Sequence, residues 1–465
     1  MIVAGAGIAG FAAARALLAA GVPVTVLDQR ASARTDELAA AGATVVIAAE
    51  PPPGLFDGVS EVVVSPGFAP HHPLVVAALG AGLEVYSEPE LAWRMRGPGA
   101  PAWLGITGTN GKTTTTTMLA AILAAAGLRT AALGNIGEPL LDATGYDVLA
   151  VELSSFQLHW SRDLAVPAGA LLNLADDHLE WHGTFAAYAD AKLAIWRAAT
   201  PELGGTAIGN LDDPLVADAL HKVTGRAIGF TVGEPAPGQL GVSDGWLTDR
   251  VFGTGALMEA DRIRPVGRHN VSNALAAATL ALSYGVSAEA VRTGLAGYQP
   301  EPHRNALVGT VAGVGYVDDS KATNPHAAYA SLTGYPRVVW VAGGQLKGVD
   351  VDELVASVAD RLAGAVLLGV DRAEIAQALA RHAPGIPVVD IASTDDGAMR
   401  EVIAAAAGLA RAGDTVLLAP AAASKDMFAS YAHRGDAFAA AVHALEEGGP
   451  GERAHDDRRP GTGTS

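Results

Sequence analysis

The sequence predicts an α/β chain built on parallel sheets and divided into three units. Short β-rich runs alternate with Ala-rich helical segments along most of its length, the order that builds βαβ crossovers. A glycine-rich turn, Gly5-Ala6-Gly7-Ile8-Ala9-Gly10, directly follows the first of those runs. A second glycine loop, Gly105-Ile106-Thr107-Gly108-Thr109-Asn110-Gly111-Lys112-Thr113-Thr114, stands between the apolar run Ala102-Trp103-Leu104 and a helical pattern from Thr115 onward. Two turns suited to cradling phosphate in one chain point to nucleotide chemistry.

At 465 residues the chain exceeds what one hydrophobic core serves, and two to four domains are expected. Half of the residues are hydrophobic, which is ample for sizeable cores. The 49 carboxylates against 31 lysines and arginines argue against nonspecific nucleic-acid or membrane-surface binding, because neither polyanion is drawn to such a field. Anionic small molecules then need local cationic pockets. Cysteine is absent, so disulfides and thiolate metal sites are excluded. The apolar stretch 1–21 contains Arg15 and lacks a basic leader, so it reads as the start of a folded domain and not as a signal or a membrane span. A cytoplasmic location is the expectation.

In the first unit, residues 1–93, strands are expected at 1–4, 22–27, 44–48, 61–65 and 84–86, forming a parallel sheet. The first is short, which leaves open whether the natural start lies upstream. Its glycine turn aims a helix N-terminus at a diphosphate, and Asp28 closes the second strand, where an acidic residue meets a sugar or base. An NAD or flavin cofactor and a plain nucleoside diphosphate both satisfy that pattern. Gly97-Pro98-Gly99-Ala100-Pro101 reads as a linker. The central unit, 94–299, continues with strands at 148–153, 168–174, 206–208 and 227–230, and a polar hairpin at Asp244-Gly245 is expected at the sheet edge. The third unit, 300–447, alternates strands at 337–342, 365–370, 388–391 and 415–418 with helices. The tail 448–465 is Gly, Pro and charge, and is expected to be disordered.

The second glycine loop carries the chemistry. Its glycines allow positive φ, so successive N–H groups of Gly108, Thr109, Asn110, Gly111 and Thr114 can face phosphate oxygens. Lys112 adds a cation at the β and γ positions, and Thr113 offers a hydroxyl to magnesium. Ile106 stands where the P-loop pattern has glycine; an ordinary strand-to-helix turn with a capping threonine is the plainer alternative. Glu152 ends an apolar strand beside the P-loop strand, as a magnesium ligand or as a carboxylate facing water. Asp176-Asp177-His178 closes another apolar run with hard ligands. Lys192 lies on a helical pattern, where a solvated lysine is the default. Asn270 and Asn273, one turn apart, suit adenine edges or helix capping. Arg304 in Pro302-His303-Arg304 suits phosphate oxygens. The run Asp318-Asp319-Ser320-Lys321-Ala322-Thr323-Asn324 is a polar turn or a nucleotide contact. Ala342-Gly343-Gly344-Gln345-Leu346-Lys347-Gly348 and Ala419-Pro420-Ala421-Ala422-Ala423-Ser424-Lys425-Asp426-Met427-Phe428, both at strand ends, can hold a small anionic amino acid or be simple glycine turns.

Taken together, Thr107-Gly108-Thr109-Asn110-Gly111-Lys112-Thr113, Glu152-Leu153-Ser154-Ser155-Phe156-Gln157, Asp177-His178, His269-Asn270-Val271-Ser272-Asn273, His303-Arg304 and Asp319-Ser320-Lys321-Ala322-Thr323-Asn324 resemble the Mur ligases over nearly the whole chain. The Asp-Ser-Lys-Ala-Thr-Asn run and the Ser424 segment are similar to the D-glutamate-adding branch. The resemblance implies a Rossmann-like UDP-binding domain, a central P-loop-type ATPase domain and a Rossmann-like C-terminal domain that brings the amino acid, with domain closure during turnover. It implies that ATP phosphorylates the carboxylate of UDP-N-acetylmuramoyl-L-alanine and that the amine of D-glutamate displaces phosphate.

By the same resemblance Lys112, Glu152, His178 and Lys192 are catalytic. Two Mg²⁺ ions are implied, one on Thr113 and Glu152 and one on His178 and a carbamylated Lys192. Asn270, Asn273, Arg304, Asp319 and Lys321 match ATP contacts, alongside the loop 108–114. Ile8, Ala9, Gln29, Arg30, Ser65, Gly67, Asn135 and His178 match the UDP-substrate set, and Lys347, Ser424 and Tyr431 the D-glutamate set. Gln345-Leu346, Lys425 and Pro300-Glu301-Pro302 depart from the family's usual residues. A monomer without nucleic-acid or membrane partners is expected. Other amino-acid or folylpolyglutamate-type ligases, and an NAD or flavin oxidoreductase, stand as alternatives.

Overall fold

A computed structural model describes residues 1–447 except 301, 394 and 396. The tail 448–465 and Glu301 of the Pro300-Glu301-Pro302 run therefore lie outside the described residues. The chain forms two compact units: one holds Met1–Arg264 with Arg268–Gln299, and the other holds Pro265–Gly267 with the described residues from Pro300 onward.

In the first unit, β1 (Ile2–Ala4), β2 (Thr25–Asp28), β3 (Thr44–Ile47), β4 (Glu61–Val64) and β5 (Glu84–Ser87) form a sheet of order β3-β2-β1-β4-β5, parallel throughout. Chain order reverses beside β1, so the loops after β1 and β4 open side by side, where such sheets take ligands. Gly10, in the first turn of helix Ile8–Ala19, must be glycine for the first of these to fold: a Cβ there would run into the carbonyl of Gly5.

The same unit carries β6 (Ala102–Thr107), β7 (Ala132–Gly134), β8 (Val148–Glu152), β9 (Ala168–Leu171), β10 (Thr206–Asn210), β11 (Arg226–Phe230), β12 (Gln239–Ser243), β13 (Trp246–Asp249) and β14 (Gly255–Glu259), in the order β14-β13-β12-β11-β10-β9-β6-β8-β7. The strand β6 is central, flanked by β8 and β9, and the loops after these three strands meet at one end. The expected hairpin is present, but β14 pairs beyond it and takes the sheet edge: β12 and β13 pair antiparallel through Asp244-Gly245, both at positive φ, the geometry that a tight hairpin demands. Helix Lys112–Ala125 opens with a run of threonines, poor helix formers. Two of them turn their hydroxyls onto the preceding turn, Thr116 to the carbonyl of Lys112 (2.8 Å) and Thr117 to that of Thr113 (2.9 Å), while Met118, Leu119, Ile122 and Leu123 bury the apolar face.

Two buried carboxylates stitch the end of β5 to the central segments. Glu90 accepts the N–H groups of Arg162, Asp163 and Leu164 at 3.0, 2.9 and 3.0 Å, with Arg94 Nε at 2.8 Å. Glu88 accepts Leu141 N–H at 3.0 Å without a cation, and burial raises its pKa from 4.5 to about 7. The folded chain therefore holds an extra proton between those values, and stability falls as pH rises through that window. Glu88→Gln is expected to match the parent near pH 5 and to exceed it by about 1–3 kcal/mol near pH 8, measured as thermal midpoints at both pH values.

In the second unit, β15 (Ala306–Val311), β16 (Val314–Asp318), β17 (Val338–Gly343), β18 (Leu362–Leu368), β19 (Val388–Asp390) and β20 (Thr415–Leu418) take the order β15-β16-β20-β17-β18-β19. The hairpin β15–β16 is antiparallel and was not among the expected strands. It turns through Ala312-Gly313, both at positive φ, a pair without the Asn-Gly or Asp-Gly signature that marks such turns. The remaining pairs are parallel. Trp340, fully buried in β17, donates its indole N–H to the carbonyl of Ala419 at 2.7 Å. Among the described residues no helix is long and apolar enough to cross a membrane.

Candidate active site

The glycine loop after β6 folds as a phosphate cradle. Gly111 caps helix Lys112–Ala125 at φ 83°, and a Cβ there would collide with the amide of Asn273, so only glycine serves. Lys112 Nζ turns back onto the loop, donating to the carbonyls of Gly108 (2.9 Å) and Thr109 (2.8 Å). Asn173, just beyond β9, grips Asn110 at both ends: its Oδ1 accepts Asn110 N–H at 2.8 Å and its Nδ2 donates to Asn110 O at 3.1 Å. Thr109 N–H reaches Asn173 O at 3.0 Å. A strand expected to run through 174 had hidden Asn173; the strand stops at Leu171, which frees it to brace the loop.

Glu152 faces the protein and not water, with 1 % exposure, so the water-facing alternative is wrong. Its carboxylate is held on both oxygens: Thr113 Oγ1 donates to Oε2 at 2.7 Å and Asn135 Nδ2 to Oε1 at 2.8 Å. Asn135 N–H also meets Glu152 O at 2.9 Å. One residue from the UDP-substrate set thus orients one from the metal set.

Lys192 overturns its default reading more sharply. It is 2 % exposed, inside the protein on helix Phe185–Leu193. Nζ donates to Gly108 O at 2.7 Å, the carbonyl that Lys112 also uses, and lies 4.8 Å from the centre of the Tyr188 ring. Burial first, and the Lys112 cation second, hold its pKa well below the usual lysine value, which favours the neutral amine. Tyr188, one turn earlier, bonds Thr109 Oγ1 at 2.8 Å and so fixes helix and loop to each other.

His178 stands at φ 54° ahead of the short helix Leu179–His182. Its ring lies 4.7 Å from that of Phe156, with Asp177 at 3.6 Å and Glu180 at 3.7 Å. His182 Nε2 meets Ser155 Oγ at 3.0 Å; burial first, then neighbouring imidazoles and Lys192, lower its pKa to about 4. Asn270 and Asn273 lie inside the first turns of helix Arg268–Ser283, so neither is its cap. They bond each other at 3.1 Å, and Asn273 abuts Gly111.

Residues of the UDP-substrate set surround the loops after β1, β2 and β4. Ile8, Gln29, Arg30 and Gly67 are exposed, with Ala9 and Ser65 half-buried. Asp28 does not wait for a ribose: Oδ2 accepts Ala6 N–H at 2.6 Å and Oδ1 accepts Arg30 N–H at 3.1 Å. The fingerprint acid thus braces the glycine turn, a role the pattern alone did not assign to it.

In the second unit Asp319 is half-buried; Asn305 N–H at 3.2 Å and the Ser331 hydroxyl meet its carboxylate, and desolvation of that carboxylate raises its pKa to about 6. Lys321 Nζ lies 4.0 Å from the Tyr431 ring centre. His303 Nδ1 pairs with Asp318 at 2.6 Å, beside Arg304. Part of the polar run is a turn after all, since Asn324 caps helix Pro325–Leu332. Backbone bonds between Gln345 and Ala423, at 2.8 and 2.9 Å, lay the Lys347 loop against the Ser424 loop. Lys347 is exposed at φ 56° and Ser424 is buried. Arg434, which sequence reasoning missed, is 1 % exposed and donates to Ser320 O (2.9 Å), Gly343 O (3.2 Å) and Ala422 O (3.2 Å). It binds together the loops after β16, β17 and β20, and only the folded chain reveals that burial.

A magnesium ion suits the donors present: Thr113 and Glu152 supply hard oxygens on adjoining elements. Among the described residues no three His, Asp, Glu or Cys side chains gather into a metal cage, and magnesium needs none when phosphates and waters complete its shell. Lys192, held toward its neutral form by burial, has an amine of the kind that can add CO₂ and so fits the expected carbamate.

Family models agree with this layout. That described as Mur ligase MurD-like, N-terminal domain, matches residues 1–87; Mur ligase middle domain matches 106–281; Mur ligase, glutamate ligase domain, matches 303–422. The UDP-N-acetylmuramoylalanine--D-glutamate ligase of Streptomyces avermitilis is 51 % identical, covering 95 % of this chain and 97 % of that one. That of Thermobifida fusca is 52 % identical, covering 95 % and 98 %. Among solved structures, a pseudomurein peptide ligase type C from Methanothermus fervidus aligns over 96 % of this chain and 99 % of its own at TM-score 0.60 and 19 % identity. UDP-N-acetylmuramate-alanine ligase from Thermotoga maritima aligns over 96 % and 99 % at 0.57 and 16 %; both likenesses bear on the fold alone. Three domains of one fold, matched in order along the chain, and half-identical relatives of the same length mean that the chain belongs to the Mur ligase family.

Proposed function

We propose that the protein is an ATP-dependent ligase that joins D-glutamate to UDP-N-acetylmuramoyl-L-alanine in the making of peptidoglycan precursors. The observation that carries this reading is the convergence on the β6 loop of Lys112, Lys192 and the Thr113–Glu152–Asn135 group, in a chain whose half-identical relatives bear that activity in their names. A carboxylate is a poor electrophile. In the first step a substrate carboxylate oxygen attacks the γ-phosphorus of ATP and ADP departs. In the second the amine of D-glutamate, having lost a proton, attacks the acyl carbon; the amide forms and inorganic phosphate leaves.

The chain's part is positioning and charge. Lys112 steadies the γ-phosphoryl group, and the N–H groups of Gly108 to Thr114 cradle the phosphates. Asn270, Asn273, Arg304, Asp319 and Lys321 hold the remainder of ATP. Ile8, Ala9, Gln29, Arg30, Ser65, Gly67, Asn135 and His178 receive the UDP substrate, and Lys347, Ser424 and Tyr431 receive D-glutamate, where a cation and hydroxyls meet its carboxylates. Thr113 and Glu152 would hold one Mg²⁺, and His178 with carbamylated Lys192 a second; bound there, the ions neutralise charge on the transferring phosphoryl group. The domain bounds 1–93, 94–299 and 300–447, a monomeric state and a cytoplasmic location belong to the same proposal.

The test is ADP release from purified protein. Release is expected only when ATP, Mg²⁺, UDP-N-acetylmuramoyl-L-alanine and D-glutamate are all present. Equal rates with L-glutamate, or with a pterin acceptor in place of the UDP substrate, would overturn the assignment.

A further inference from the structure

We infer that Trp160 is a positioning residue for the sugar-nucleotide substrate: its indole N–H tethers the loop after β4 to the segment that follows Glu152. The inference rests on the assignment of Ser65 and Gly67 to that substrate.

The loop is a small turn whose Phe68 side chain packs against the apolar layer under β1 and β4 and against the His72 ring at 4.7 Å. Phe68 N–H closes onto Ser65 O at 3.0 Å, and Ser65 Oγ reaches back to Ala4 O at 3.1 Å and Gly5 O at 3.4 Å. Its near end is therefore pinned to the first glycine turn. Its far end is pinned by Trp160, whose Nε1 donates to Phe68 O at 3.1 Å. Trp160 is itself immobile: it is 6 % exposed, its carbonyl accepts Ser87 N–H at 3.0 Å, and its ring belongs to the apolar layer under β1 and β4 with Ile2, Ala4, Val62 and Val64. A turn that presents exposed groups to a ligand binds more tightly when its geometry exists beforehand, because ordering it on binding costs affinity.

The other side of the tether leads to the chemistry. Trp160 directly follows helix Ser155–His159, which begins three residues after Glu152. Its ring lies 6.2 Å from that of Trp181; Trp181 lies 4.6 Å from Phe156, and Phe156 4.7 Å from His178. The tether therefore ends in the aromatic layer that also holds His178, a residue proposed for both substrate and metal. Of the two neighbouring indoles only Trp160 makes the tether, since Trp181 Nε1 is buried without a hydrogen-bond partner. That difference supplies a control.

The experiment measures KM for UDP-N-acetylmuramoyl-L-alanine and for ATP, with calorimetric binding of the UDP substrate in the absence of ATP. In Trp160→Phe, which keeps a ring and loses the N–H, the affinity for the UDP substrate is expected to fall about 10-fold, the size of one lost hydrogen bond. KM for ATP should stay within about 2-fold and the loss should fall on KM rather than kcat. Trp181→Phe, which removes an indole N–H that bonds nothing, should leave the UDP-substrate affinity within about 2-fold. Unchanged affinity in Trp160→Phe, or equal losses for both substrates, overturns the tether. Should that variant fail to fold, hydrogen exchange on the parent protein decides: the UDP substrate alone must protect 65–72 and 153–161 together, and protection of 65–72 alone overturns the inference. If the parent protein does not bind the UDP substrate, the substrate assignment falls, and the tether with it.

Discussion

Lys192→Ala is expected to lower kcat by at least about 10³-fold, some 4 kcal/mol of lost transition-state stabilisation, while leaving the thermal midpoint nearly unchanged. A lysine that reaches Gly108 O at 2.7 Å with 2 % exposure, beside the Lys112 cation, is an expensive place for a second ammonium. The neutral amine is the stable form there, and a neutral amine reacts with CO₂ to give an anionic oxygen donor. On the proposed carbamate, removing the side chain deletes that donor but little of the fold, because Gly108 O still accepts from Lys112 at 2.9 Å. Lys192→Arg should be as inactive as the alanine variant, since a guanidinium stays charged and cannot form a carbamate. Carbon-13 NMR of protein equilibrated with labelled bicarbonate should show a carbamate resonance in the parent that is missing in both variants. Near-normal turnover in Lys192→Ala would reduce the residue to a packing role.

Glu152→Gln is the second large loss, about 10²- to 10³-fold in kcat. The substitution is nearly isosteric, and its amide oxygen can still accept from Asn135 or Thr113, which now meet the carboxylate at 2.8 and 2.7 Å. What disappears is the negative charge that a hard cation needs. The Mg²⁺ concentration for half-maximal rate should therefore rise, with high Mg²⁺ restoring part of the activity and the thermal midpoint holding. If Glu152 only braces Thr113 and Asn135, the glutamine variant will turn over at close to the parent rate with unaltered Mg²⁺ dependence. That result would move the metal away from this carboxylate.

Much of the architecture was legible before folding because it rests on local rules. Alternation of β-rich and Ala-rich segments marked parallel sheets, and Asp244-Gly245 marked its hairpin, since positive φ has few willing residues. The glycine loops were legible for the same reason: Gly111 is demanded by its own backbone angle. The β15–β16 hairpin escaped because Ala312-Gly313 carries no such mark.

Side chains followed a different logic. Nothing local in Tyr188-Ala189-Asp190-Ala191-Lys192 distinguishes a solvated lysine from one packed against Gly108, and only the family resemblance raised Lys192 at all. Asp28 matched a ribose-binding acid in pattern, yet its carboxylate is consumed by Ala6 N–H. Asn173, Trp160 and Arg434 bear no motif; their importance comes from carbonyls and N–H groups supplied by residues 63, 92 and up to 114 positions away. The chain by itself determined the order of the elements and where its backbone must turn, because dihedral preference and hydrophobic period are properties of neighbours. Which polar groups are shut away from water and obliged to pair was decided by the tertiary structure alone, because desolvation depends on everything that packs around a group and not on what precedes it.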